Sequence, residues 1–545
     1  LEEKAMRRNL KRKNIVMFFI IVICLVIKQS LAIEFAGGTG EPNNPYQIAT
    51  AEQLQAIGDS TLEDKCFILV ADIDLDPNLP GNEIVVDRSF ISFFSGTLDG
   101  NGHSISNLVI GIYSNAPGGP RTGLGLIGFL SRDGIIKDIL LRNITICGVG
   151  HQVGALVGSN YGTVLRCSAT GNISGVFGVG GLVGRNGGSI VSCSAFCNVV
   201  QGETVAGGAV AGGLVGDNFG YIYNCYATGT VTGKGALGGL VGINYDGMSN
   251  CYATGTVTGE ESVGGLVGAN YADTVSQCYA ASKIITDSND SIGGLIGESI
   301  GQTTNSFWDI QVSGLKTSAS GIGLPTLKLQ DSATYLNAGW DMAGETSNGV
   351  ADFWTIMEPN TYPQLTRLTE QYTVKQLPGS GTPYDPYEIA TAADLVAIND
   401  YDINAHYILV ADIDMSGIVW ATAPILFFNG TFDGRGNTIS NLTIKGSDYL
   451  GLFGKIRHRA VVTNLTIQDA YIIGNECVGA LAGQSIGQIT NCHVTGNVTG
   501  VSYVGGLVGL VYGATFEETI SDCTADVALS GNDNIHNIAN ARYFD

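Results

Sequence analysis

Gly238-Gly-Leu-Val-Gly-Ile-Asn-Tyr-Asp-Gly-Met-Ser-Asn-Cys-Tyr-Ala-Thr-Gly-Thr-Val-Thr-Gly259 is the stretch that decides the fold. Its short β-branched and apolar pieces are separated by Gly and Asn and carry no helical period, which gives three brief strands and three corners. The opening phrase recurs at Gly154 (GALVG), Gly180, Gly212, Gly264 and Gly293 (GGLIG), then at Gly479 (GALAG) and Gly505. Its steps are 26, 32, 26, 26 and 29 residues in the first set and 26 in the second. One such coil cannot bury its apolar side alone, so coils must stack with their strands parallel, about 4.8 Å apart. The predicted fold is therefore all-β: a right-handed parallel β-helix, or β-solenoid, of at most about twenty coils. Leu156, Leu182, Leu214, Leu240, Leu266 and Leu295 form its inward ladder, and glycine serves the corners through positive φ.

A longer duplication divides the chain. Gly38 to Thr50 recurs as Gly379 to Thr391, Leu69 to Asp74 as Leu409 to Asp414, and Gly96 to Leu108 as Gly430 to Leu442. The expected organisation is two tandem modules with small helical caps, the caps being Ala51 to Gly58 and Ala392 to Asn399. Residues 33–300 form the first module with its cap and repeats. Residues 301–378, with Trp308, Trp340 and Trp354, form an irregular capping segment and linker. Residues 379–545 form a second module that reads as truncated.

Residues 1–32 read as an export signal. A basic stretch from Arg7 to Lys13 precedes an apolar run from Ile15 to Ile27 and a small-x-small site at Ser30-Leu31-Ala32. That run is shorter than the ~20 residues of a membrane-spanning helix. With 77 Gly in 545 residues but no G-X-Y period, the chain is neither collagen nor, at 12 Cys, a disulfide miniprotein. The 27 Lys+Arg against 49 Asp+Glu give a net charge of −22, which argues against a nucleic-acid partner. Secretion to the medium or the cell surface is expected, with no membrane contact beyond the signal peptide.

The repeated phrases resemble the bacterial GLUG-motif family of secreted and surface proteins, through Gly181-Leu-Val-Gly184 and its copies. The resemblance covers most of residues 36–545 and implies a β-solenoid with a role in adhesion or envelope architecture, without an established reaction. Similar repeats accompany the protease domain of IgA-cleaving zinc peptidases, but this chain has no H-E-x-x-H.

The chemical motifs dissolve into the repeat. The G-x-S-x-G matches at Gly297 to Gly301 and Gly483 to Gly487 place Ser299 and Ser485 where other coils carry a corner asparagine, so neither is a nucleophile elbow. Gly123 to Gly128 matches the dinucleotide fingerprint, yet no helix follows it. Cys167, Cys193, Cys225, Cys251, Cys278 and Cys492 hold one phase and are read as a buried thiol ladder in preference to disulfides. Asp72, Asp74, Asp76, Asn78 and Glu83 follow a calcium-loop spacing, but Pro77 stands where that loop needs Gly. The expectation is no catalytic, metal or cofactor residue, with Ca²⁺ held in reserve as a weak ligand. Threonine ranks at Thr228/Thr230/Thr232, Thr254/Thr256/Thr258 and Thr495/Thr499 resemble ice-binding solenoids, although Phe196, Val200 and Lys283 interrupt them. Tyr226, Tyr252 and Tyr279 are expected to be exposed in one phase, where they could lie against sugar rings.

The expected function is that of a non-enzymatic adhesin or structural scaffold that binds polysaccharide or surface proteins. The alternatives are a polysaccharide lyase or glycoside hydrolase, with Asp99, His103 and Asp433 as the nearest approach to a catalytic set, and a non-catalytic stalk of a larger surface protein.

Overall fold

The computed structural model describes residues 34–542, apart from 80–84, 87, 112–121, 148–149, 203–208, 273–274, 289, 346–351, 358–360, 367–374, 402–404, 447 and 513–518. The export-signal reading of residues 1–32 lies outside the described residues. What is described is a pair of parallel β-solenoids.

Each full coil of the first solenoid contributes to four parallel sheets rather than three. One coil runs through His151–Gly154, Val157–Asn160, Thr163–Leu165 and Ser168–Gly175. The sheets they join have seven, eight, ten and fifteen strands, and every pairing within them is parallel. The fourth strand appears because the phrase itself bends: Val153 and Gly154 belong to one sheet and Val157 to the next. Ten rungs along the ten-stranded sheet of the first solenoid and five along the five-stranded sheet of the second fall short of the twenty-coil bound, because the caps and most of the described residues between Asp309 and the second module use chain without adding regular coils.

Glycine in the phrase serves a different purpose from the one predicted. A Cβ on Gly184 would lie 2.3 Å from the backbone of Gln152, and one on Gly158 2.3 Å from that of Gly123. Adjacent sheets meet backbone to backbone here, so the requirement is close approach, and neither residue has a positive φ. The left-handed corners instead carry side chains: Asp138, Arg166, Ser192, Asn224, Asn250, Gln277 and Asn305 form one column with φ between 48° and 57°.

The predicted leucine ladder is fully buried, as is the matching set Leu452, Leu481 and Leu507 in the second solenoid. Both short helices form, at Ala51–Ala56 and Ala392–Ala397. Thr50 and Thr391 close them with capping boxes to Gln53 and Asp394, and Leu54, Ile57, Leu395 and Ile398 enter the cores beneath. The stack of the first solenoid continues past residue 300: Thr303–Thr304 and Phe307–Asp309 pair with Val275–Ser276 and Tyr279–Ala280. Trp308 then lies across Gly294, where a Cβ would meet its ring at 2.1 Å, and closes the end of the core.

The second solenoid packs beside the first. Phe427 meets Tyr221 with ring centroids 4.0 Å apart. Lys455 Nζ reaches Asp246 at 3.1 Å, Arg459 reaches Asp133 at 2.6 Å, and Arg457 donates to Ser189 Oγ at 3.3 Å. Among the described residues no helix is long and apolar enough to cross a membrane.

Candidate functional site

The polar residues of the repeat are largely used inside it. Asn160, Asn186, Asn218 and Asn244 each donate Nδ2 to Oδ1 of the asparagine one rung on, at 2.7, 2.7, 2.7 and 2.9 Å, ending on Asn270. All five are fully buried. Asn160, Asn186 and Asn218 also accept from the backbone N–H two residues on, so the amides are satisfied in both senses. Asn270 passes its bond to Ser299 Oγ at 3.4 Å, and Ser485 Oγ accepts from Gly487 N at 3.2 Å. Both serines therefore stand in for corner asparagines, as their phase implied.

The cysteines form a second internal column. Cys167 and Cys193 each donate their backbone N–H to the sulfur of the next rung's cysteine, both at 3.3 Å. Each thiol turns back to the carbonyl two residues earlier, as in Cys225 to Tyr223 O at 3.0 Å and Cys278 to Ser276 O at 3.1 Å. Burial pushes the Cys167, Cys193 and Cys251 thiols well above their ordinary range, which keeps them protonated donors. Ser306 continues the column with an oxygen in place of sulfur, and Cys523 continues the column of Cys492. Among the described residues, the cysteines of the two columns are thiols and not disulfides.

The acids set aside for catalysis or calcium are turn-formers. Asp99 accepts from Asn101 N at 2.7 Å and pairs with Lys137 at 3.1 Å. Asp433 accepts from Arg435 N and Asn464 Nδ2, both at 2.9 Å, within the other solenoid. His103 lies 3.5 Å from Asp72, whose carboxyl is held below its usual range chiefly by the Ser104 N–H. Asp74 and Asp76 accept from backbone two residues on. Glu83 lies outside the described residues, and among the described residues no cluster of three metal-ligating side chains occurs.

The tyrosine column differs from its prediction. Tyr226, Tyr252 and Tyr279 do stack, at 4.7 and 5.0 Å, but Tyr252 and Tyr279 are buried. Trp354 and Pro363 fold back over them: Trp354 Nε1 donates to Asn250 Oδ1 at 3.0 Å and Tyr279 OH to Pro363 O at 2.8 Å. At Tyr252 and Tyr279 this face is an internal seam with no open surface for a sugar, and only Tyr226 stays half-exposed. The threonine ranks are solvent-facing but short, with Thr230 and Thr232 followed by Thr256 and Thr258 and then Lys283 and Ile285. Beside them opens a groove of about 750 Å³ lined by Thr232, Lys234, Thr258, Glu260, Glu261 and Asp287.

A second aromatic row, on another corner, is exposed. Tyr161, Gly187, Phe219, Tyr245, Tyr271 and Ile300 each follow a ladder residue directly, and each donates its backbone N–H to a carbonyl of the rung before, at 2.6 to 3.1 Å. Phe219 stacks on Tyr245 at 4.5 Å, and Tyr245 lies 5.4 Å from Tyr271. Tyr161 stacks on Phe129 at 5.1 Å, which stacks on Phe93 at 5.7 Å. Where Gly187 interrupts the row, the Arg185 guanidinium covers Phe219 at 4.4 Å. Phe219 and Tyr245 are 41% and 44% exposed and Ile300 81%. Beneath them Asp217 is buried without a hydrogen-bond partner among the described residues, and burial pushes its carboxyl up to about 6 against the pull of Arg185. The repeat carried a signal for this row, the residue after each corner asparagine, which the sequence reading passed over.

Three stretches of the chain, residues 233–258, 259–285 and 474–499, match the GLUG motif. Over 87% of its length the chain is 29% identical to halomucin of Haloquadratum walsbyi, of which it spans 6%. Over 27% of its length it is 36% identical to a protein named as a Gly-rich membrane protein of Evansella cellulosilytica, of which it spans 17%. The chain thus spans under a fifth of either relative. A solved structure described as an immunoglobulin A1 protease of Bacteroides ovatus superposes with a TM-score of 0.37 at 19% identity, over 62% of this chain and 96% of that one.

Proposed function

We infer that the chain is a secreted or cell-surface repeat protein that works through its surface, as an adhesin or structural scaffold for polysaccharide or surface proteins, and catalyses no reaction. The observation that carries this reading is the division of labour in the repeat. The Asn and Cys columns spend their polar groups on neighbouring rungs, and the residues considered for chemistry act as turn-formers. What is left to solvent at regular intervals is an aromatic corner. Contiguous exposed apolar surface of this kind marks interaction sites. The names of the two relatives, halomucin and a Gly-rich membrane protein, support an extracellular or surface setting.

The test is to incubate the purified chain with acidic and neutral polysaccharides and with extracted surface proteins, measuring binding and new chain ends in parallel. Binding without release of chain ends is the expected outcome. Sustained turnover would overturn the non-catalytic reading, and folded protein that bound nothing would overturn the scaffold.

A further inference from the structure

We propose that the exposed corner of the first solenoid is a track for a neutral polysaccharide chain lying parallel to the solenoid axis. This rests on the scaffold reading and names its ligand.

The corner is defined by backbone geometry. Tyr161, Gly187, Phe219, Tyr245, Tyr271 and Ile300 occupy one position on successive rungs, and the parallel register fixes their spacing at about 4.8 Å per rung. The fold does not require aromatic residues there. The second solenoid builds the same corner with Arg457 and Ile486, which donate to Phe428 O and Ile456 O in the same way at 2.8 and 2.9 Å. Rings at four of six positions, with Phe219 stacked on Tyr245 and the two 41% and 44% exposed, therefore belong to the surface and its use.

The chemistry of the strip selects its occupant. The rings present rims and apolar edges, while the Tyr161 and Tyr245 hydroxyls add polar handles along the same line and the Tyr271 hydroxyl donates to Glu298 Oε1 at 3.3 Å. Such a strip suits a molecule with C–H faces and hydroxyls on one repeating unit. One rung is about the length of a pyranose in an extended chain, so successive sugars meet successive rungs in equivalent settings. Charge separates neutral glycans from polyanions. Two residues before the corner, the six rungs carry one cation, the half-buried Arg185, against the buried Asp217 and the half-buried Glu298, on a chain of net charge −22. A uronate or sulfated chain would find no surplus of cations here and a repelling field around it.

The full chain and three variants would be run in affinity gels containing a galactomannan, a soluble β-glucan, a xyloglucan or polygalacturonate, with melting temperatures recorded for each protein. The parent is expected to be retarded by at least one neutral glycan and not by polygalacturonate. Ile300→Glu, at a position 81% exposed, should weaken that retardation at least fivefold at unchanged melting temperature. Tyr245→Ser should weaken it at least tenfold, and Ile486→Glu on the second solenoid should leave it intact. Neutral-glycan binding undiminished in Ile300→Glu and Tyr245→Ser would overturn the track and leave the scaffold reading in place. So would binding only to polygalacturonate or only to a surface protein. A parent that binds none of these would remove both.

Discussion

The ring of Phe427 sits 4.0 Å, centroid to centroid, from that of Tyr221, 206 residues earlier in the chain. Around this contact Lys455 pairs with Asp246 and Arg459 with Asp133, so one apolar pin flanked by two ion pairs fastens the solenoids side by side. Phe427 is buried at this seam. Phe427→Ala combined with Lys455→Glu should cost about 3–5 kcal/mol of docking, mainly through the lost ring. It should let the solenoids separate without unfolding either, so small-angle scattering should show a larger radius of gyration with unchanged β-sheet circular dichroism. An unchanged radius would show that the remaining contacts, Arg459–Asp133 and Arg457–Ser189 among them, hold the pair together without the pin.

The asparagine ladder should be intolerant in its middle and tolerant at its end. Asn218→Ala leaves Asn186 without its acceptor and Asn244 without its donor, both fully buried, and should cost about 2–4 kcal/mol in urea denaturation. Asn270→Ser copies what Ser299 already does one rung on and should cost about half as much.

Asp217 makes stability fall with pH over a defined window. Its carboxyl titrates at about 6 in the folded chain, above the ordinary 3.8, because burial disfavours the charge. The folded state therefore holds the proton more tightly, and stability drops as pH rises from about 4 through 6, with the full deficit above that. Asp217→Asn should raise the melting temperature at pH 7.5 by the equivalent of up to about 3 kcal/mol, and the two curves should converge below pH 4. A variant no more stable at pH 7.5 would mean that Arg185 fully compensates the buried charge.

The cysteine column should behave as packing. In native protein Ellman's reagent should react at once with exposed Cys147 and more slowly with half-buried Cys523, while Cys167, Cys193, Cys225, Cys251 and Cys278 stay silent until denaturation. Reductant should leave the melting temperature unchanged. Denatured protein with almost no titratable thiol would contradict this.

What the sequence made legible is whatever repeats at the period of a rung. The spacing of Gly-Leu-Val-Gly placed Leu182 and Leu214 in the core, and the phase of Ser299 and Ser485 placed them at corner-asparagine positions, because a rung's neighbours lie about 26 residues away and share its pattern. The cover over Tyr252 and Tyr279 could not be read that way. Trp354 reaches Asn250 across 104 residues from a segment with no repeat of its own, so a column that looks free in its own coils is buried by unrelated sequence. The role of glycine was misassigned for a related reason: the approach of Gly184 to Gln152 is set by how two sheets meet, a distance that composition does not carry. The candidate surface fared in between, since Tyr245 follows Asn244 in plain view but its exposure depends on which corner the second solenoid leaves uncovered.

The separation of the ladder partners also sets an order of assembly. Each asparagine in the column finds its neighbour 26 or 32 residues away, whereas Lys455 must wait 209 residues for Asp246. A chain emerging from its N-terminal end can therefore add coils one at a time onto a template that the helix at Ala51–Ala56 has already started, with each closure drawing on a short loop. The first solenoid can be complete, and shut by Trp308, before any of the second exists. The later coils then mature against a finished neighbour, which spares the growing edge from pairing with strands of another molecule.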